Sequence, residues 1–285
     1  MFKLFIFVSL LLFTTNTYAR HLEVGYSNEA MLQFSAKDVT IATNIWLQQL
    51  VEDSNNTATF SFYNDKGLAK AAKEGKAEYL SAYGIAYIKY FDLSKLQDGF
   101  TGGSKNRSDE NLILVLQKAK TIEDLLAMEH PRIAYLAGNE LATIYAKYLF
   151  LKNNKHTKIT FSPKRTNYKA LLDLFFHKVD ATIIMKKTFR FAAELNPQIA
   201  HTLYIAQTTN YCAGNFGFFT EAVDPDFLHY IKGLAMNLNN TKKGKQVLDI
   251  FRTDAVIETK VSDLKPIENL YYDYLELQKK EKLQQ

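Results

Sequence analysis

From residue 21 onward, short β-rich runs alternate with longer segments whose apolar residues recur at helical spacing. HLEVGYSN (21–28) predicts a strand entering a turn, and VTIATNIWLQQLVEDS (39–54) a helix carried by Ile41, Ile45, Leu47 and Leu50. TATFSFYND (57–65) alternates as a strand does, KGLAKAAKEGK (66–76) reads as a helix closed by Gly75, and EYLSAYG (78–84) as a strand before the helix IAYIKYFDLSKL (85–96). Such β-α-β-α-β-α order implies a parallel sheet with helices on its faces. The Gly-, Ser- and charge-rich stretch 96–110 predicts a loop, and NLILVLQ (111–117) a fully apolar strand. TIEDLLAM (121–128) follows as a helix with Thr121 as N-cap.

The pattern then restarts. RIAYLAG, KITFSP and DATIIMK predict strands, each followed by a helix, the last ending just before Pro197. HTLYIAQTT (201–209) is a strand-like return, NFGFFTEAV follows, and the tail segments 224–240, 242–252 and 267–282 read as amphipathic helices. Two similar α/β blocks joined by two crossings, near 111–116 and 203–219, describe a two-lobed hinge protein. The expected fold is α/β, each lobe a mainly parallel sheet flanked by helices around its own core. The expected boundaries are 20–110 with 212–285 for the first lobe and 111–211 for the second.

With 285 residues and 47% hydrophobic content the chain can bury a sizeable core, and 23% charged residues is ordinary for a folded protein. A net charge of +5 spread along the chain does not argue for nucleic acid. Residues 1–19 read as a secretory signal: a short basic start, the apolar run LFIFVSLLLF, then Thr17 and Ala19 at the positions a signal peptidase reads. A retained anchor is the alternative. Cys212 is the only cysteine, so an internal disulfide is excluded, and a bacterial periplasm is the expected location of a soluble monomer.

The six histidines are scattered, and no zinc-binding His pair, phosphate-binding glycine loop, dinucleotide fingerprint or nucleophile elbow is present. Neither a metal nor a cofactor is expected, and catalysis is the poorer reading. In open α/β sheets ligands sit beyond the carboxyl ends of strands. Those ends offer Tyr26, Tyr63 and Tyr83, with Tyr87 in the first turn of the next helix. Tyrosine supplies a flat apolar face and an orienting hydroxyl. Gly138 and Asn139 open a helix whose N–H groups can hold an anion. Packing is the competing role for Tyr79, Tyr87 and Tyr90, with Tyr79 and Tyr90 assigned to the core. Lys164, Arg165, Lys186 and Lys187 read as solvated.

Several phrases, LEVGYSNE, LAKAAKEGKAEYLSAYGIAYI, AKTIEDLLAMEHPRIAYLAGN, YKALLDLFFHKVDATIIM and FTEAVDPDFLHYIKGLAMNL, recur in an order that extends over nearly all of the chain beyond the leader. Together they resemble the periplasmic solute-binding proteins of phosphate, phosphite and phosphonate ABC transporters, which have the type 2 periplasmic-binding-protein fold. The resemblance implies capture of a small polar or anionic ligand, phosphonate- or phosphate-like, between lobes that close on a hinge, without catalysis. It implies a membrane permease as partner. It aligns Tyr87, with Tyr83 nearby, with the family's ligand-facing tyrosine. Where the family carries a hydroxyl-rich anion loop this chain has 137–143, with Thr143 its one hydroxyl and Glu140 within it. Asn167 stands where a histidine commonly opens the next helix, and Met185 where an acid commonly ends a strand. Two further roles stay open at this point: a sensing module docked on a membrane kinase or chemoreceptor, and an exported enzyme on the same scaffold.

Overall fold

The computed structural model describes residues 19–32, 34–51, 55–251 and 253–284. The expected signal segment therefore lies outside the described residues, apart from Ala19.

Two mixed sheets form the frame. The first is built from β1 (His21–Ser27), β2 (Thr57–Tyr63), β3 (Tyr79–Tyr83), β4 (Leu96–Gly103), β10 (Asn215–Thr220) and β11 (Ala255–Thr259), in the order β11-β4-β10-β3-β1-β2. The second is built from β5 (Asn111–Gln117), β6 (Arg132–Leu136), β7 (Thr160–Lys164), β8 (Ala181–Met185) and β9 (Leu203–Cys212), in the order β7-β6-β8-β5-β9. The β-α-β segments give the parallel pairs β1–β2, β1–β3, β6–β7 and β6–β8. The strands that lead into or out of a crossing pair antiparallel. Four of the nine strand pairings among the described residues are parallel, so the sheets are mixed and not mainly parallel, because a returning strand needs no crossover helix. The chain passes from β4 to β5 through 104–110 and returns from β9 to β10 through 213–214.

One local expectation changes, and two elements appear that were not expected. Residues 96–103 form a strand, not a loop, because β4 is paired on both edges, by β10 and β11, and that pairing overrides a Gly-rich composition. β11 lies between the second and third of the tail segments read as helices, in a stretch to which no element was assigned. Pro197 occupies the first position of a further helix, Pro197–Thr202, where its missing N–H costs nothing, and Asn196 caps it by accepting from the Gln198 amide at 3.1 Å.

The lobes do not have wholly separate cores. One cluster runs from Leu80, Tyr87 and Phe216 of the first lobe to Leu141, Tyr145 and Ile183 of the second. The last helix, Lys265–Gln284, contributes Ile267, Leu270 and Tyr274 to it and packs on helices Gly84–Tyr90 and Glu140–Lys152 alike. It ties the two lobes together. Smaller clusters cover the remaining face of each sheet.

Candidate functional site: a cavity between the lobes

A cavity of about 420 Å³ lies between the lobes where the crossings meet. Its first-lobe wall follows from strand alternation. Tyr79, Ser81 and Tyr83 of β3 point into it, while Leu80 and Ala82 point into the shared core. Behind them is an aromatic cluster. The Tyr79 and Phe100 rings stack at 5.0 Å, Trp46 lies 5.8 and 5.9 Å from them, and the Tyr79 hydroxyl donates to the Phe100 carbonyl at 2.7 Å. Helix Lys242–Ile250 and the turn after it add Val247, Leu248 and Phe251. The second-lobe wall comes from Thr166–Tyr168, Met185 and one face of helix Lys186–Leu195.

At the crossings the cavity meets a charged cluster. Glu110 is 3% exposed and lines the cavity. Its carboxylate accepts from the Ser104 amide at 3.1 Å, from Lys187 at 3.0 Å and from Arg107. Lys187 also donates to Ser104 Oγ at 3.1 Å, and Arg107 to the Asn215 carbonyl at 2.6 Å. Gly214 faces this carboxylate closely enough that any Cβ there would collide with it. Arg190, one turn beyond Lys187, pairs with Asp109 at 2.8 Å. The segment joining β4 to β5 is therefore held to the second lobe by two ion pairs, both from helix Lys186–Leu195.

The expected site residues divide into two groups. Tyr26, Tyr83, Asn167 and Met185 line the cavity. Burial pushes the Tyr26 and Tyr83 phenols well above their ordinary range, with the nearby Asp65 charge adding to the shift at Tyr83, so both present neutral hydroxyls. Tyr63, Tyr87, Gly138, Asn139 and Thr143 do not line it. Register pairs Tyr26 with Phe62 and Ser27 with Tyr63, so Tyr63 lies on the opposite face of the sheet, over Gly25 and Leu68. Tyr87 is fully buried, its hydroxyl 2.8 Å from the Leu80 carbonyl and 3.2 Å from that of Phe216; it knits the core and cannot face a ligand.

The helix start at 138–143 is turned to a lobe–lobe contact instead. Gly138 has φ +82°, and a Cβ on it would lie 2.6 Å from the Glu29 carbonyl of the first lobe. Asn139 is buried, donating to the Ala213 carbonyl at 3.2 Å. Thr143 bonds back to the Glu140 carbonyl at 2.9 Å. Glu140 pairs across the lobes with Lys89 at 2.7 Å. Tyr90, expected in the core, is 40% exposed. Cys212 is buried beside the second crossing, and burial raises its thiol to about 11, which keeps it protonated and unreactive.

Sequence reasoning missed Trp46, Glu110, Lys187 and Asn215. Lys187 follows a strand end and so carried a signal, but paired lysines usually read as solvent-facing. Glu110 sits in a segment whose polarity reads as loop. Among the described residues no group of three or more His, Cys, Asp or Glu side chains could hold a metal, and no helix is long and apolar enough to cross a membrane.

Residues 31–264 match the family model described as "ABC transporter, phosphonate, periplasmic substrate-binding protein". No functionally curated protein matches the sequence. Among solved structures, the fold is similar to that of a binding-protein component of an ABC phosphonate transporter from Pseudomonas aeruginosa. That match has TM-score 0.61 and 14% identity, over 91% of this chain and 88% of that one. It is similar to PhnD1 of Prochlorococcus marinus in complex with methylphosphonate, at TM-score 0.61 and 14% identity, over 88% and 96% of the two chains. A Xanthomonas citri protein bound to ATP matches at TM-score 0.63 and 10% identity, over 91% and 98%. At such identities these likenesses establish the two-lobed fold.

Proposed function

Since this chain belongs to the phosphonate ABC-transporter family of periplasmic substrate-binding proteins, we propose that it captures a small polar or anionic solute between its lobes and delivers it to the permease of an ABC importer. The observation that carries this reading is the cavity itself. Both lobes wall it, and the Glu110–Lys187 pair on its lining, with the Asp109–Arg190 pair beside it in sequence, joins the crossing segment to the second lobe. A solute touching both walls stabilises the arrangement in which the walls face each other, which is the energetic basis of hinge closure. Binding needs only hydrogen bonds and shape. Ser81, Thr188, Asn167, Lys187 and the neutral phenols of Tyr26 and Tyr83 supply both without an activated nucleophile, in keeping with a carrier that performs no catalysis. On this reading the carrier acts as a monomer, exported to the periplasm through its N-terminal segment.

A thermal-melting screen of phosphonates, phosphate, sulfonates and organic acids tests this. A true ligand at a hundredfold excess over its Kd stabilises the fold by about 2.7 kcal/mol. Failure of every oxyanion to raise the melting temperature would overturn the reading.

A further inference from the structure

We propose that the captured solute is amphipathic: an oxyanion head held near Lys187 and an apolar body reaching toward the cavity mouth. This rests on the solute-capture reading above and adds the class of solute. The cavity, at about 420 Å³, is within the roughly 300–1,000 Å³ typical of sites for drug-sized ligands, and a one-carbon oxyanion would leave most of it to water.

Its lining is graded in one direction. Lys187, Phe191 and Leu195 stand at i, i+4 and i+8 of one helix and all line the cavity, so a single face runs from cation to aromatic to aliphatic. Eight residues of helix rise about 12 Å, comparable to an extended eight-carbon chain. Across from this face the first lobe presents Trp46, Leu248 and Phe251. Phe191 and Leu195 are 47% and 83% exposed, an apolar cost at the mouth that a buried hydrocarbon body would remove.

At the polar end two of the three Lys187 donors are directed to Ser104 and Glu110, which leaves one for a ligand oxygen. Glu110 and Asp254 are carboxylates on the wall. Glu110 is also held by Arg107 and the Ser104 amide, so a head at Lys187 does not strip it of partners.

The test is calorimetric titration of the protein with n-alkylphosphonates from methyl to octyl, phenylphosphonate, and 1-octanol as a control without the head. Affinity is expected to rise about fourfold per added methylene until the body passes Leu195, with octanol binding at least a hundredfold more weakly than octylphosphonate. Phe191→Ser, whose folding is checked by circular dichroism, is expected to cut the octyl-to-methyl affinity ratio by roughly fivefold or more. If methylphosphonate binds as tightly as octylphosphonate, or octanol as tightly as either, the amphipathic assignment is overturned while solute capture stands. If no phosphonate binds, the capture reading and this one both fall.

Discussion

Lys187→Met removes one of two cations from a buried carboxylate while keeping most of the side-chain stem. Four donor contacts converge on Glu110: the Ser104 amide at 3.1 Å, Ser104 Oγ at 3.4 Å, Lys187 at 3.0 Å and Arg107. The carboxylate side chain is 4% exposed and that of Lys187 22%, so water cannot readily replace the lost ammonium. Truncating a partner of a fully isolated buried pair costs about 3–5 kcal/mol. Here Arg107 and the Ser104 amide remain, and the loss is closer to that of one charge-assisted hydrogen bond, about 2 kcal/mol. For a chain of this size that corresponds to a fall of about 3–4 °C in melting temperature. Glu110→Gln removes the charge from the other side. Because the two residues share one interaction, the double variant is expected to lose about 1–2 kcal/mol less than the sum of the singles. Thermal and denaturant melts of the four proteins measure this. Strict additivity, or a Lys187→Met melt within 1 °C of wild type, would refute the claim that this pair fastens the crossing to the second lobe.

Further outcomes follow from the same contacts. Tyr87→Phe removes a hydroxyl bonded to the Leu80 and Phe216 carbonyls and should destabilise the fold by about 1–2 kcal/mol, with ligand affinity unchanged; a selective loss of affinity would return Tyr87 to the cavity. Asp65 is raised above its ordinary 3.8, chiefly by burial, with the Ser27 hydrogen bond opposing and Glu29 and Glu140 adding to the shift. A carboxyl with a raised folded pKa binds its proton more tightly when folded, so its stabilising contribution is complete below 3.8 and is lost as pH rises through the raised value. Wild type should therefore lose stability relative to Asp65→Asn as pH rises from about 4 through the raised pKa, and parallel pH profiles of the two proteins would contradict this. Gly138→Ala combines a positive φ with a Cβ 2.6 Å from the Glu29 carbonyl. It should cost about 1–3 kcal/mol and weaken solute binding by opening the lobe contact, so unchanged melting and affinity would count against that contact.

Much of the frame was legible because the periods were strong. The apolar run 111–117 and the alternation in 57–63 became β5 and β2, and the β-α-β order placed the parallel halves of both sheets. β4 and β11 were hidden because their stability comes from neighbours distant in sequence, and neither the Gly-rich run of β4 nor the five residues of β11 give a local sign of that. The candidate site was legible only in part, for a geometric reason. Strand ends locate the cavity, yet adjacent strand residues face opposite ways, so Tyr26 and Tyr83 reach it and Tyr63 does not. Tyr87 and the 138–143 helix start follow the resemblance in position but not in orientation, because the first is anchored to backbone carbonyls and the second is packed against Glu29. Lys187 and Glu110 lie 77 residues apart, and nothing local in the chain pairs them.

The molecule supplies a direct reporter of the central claim. Trp46 is the single tryptophan, is 8% exposed, and lines the cavity between the lobes. Titrating the protein with whichever oxyanion raises its melting temperature, while following intrinsic fluorescence, should give a saturable change in Trp46 emission. Its midpoint should match the calorimetric Kd. Heat of binding with an unaltered Trp46 spectrum would place the solute elsewhere and contradict the interlobe cavity as the binding site.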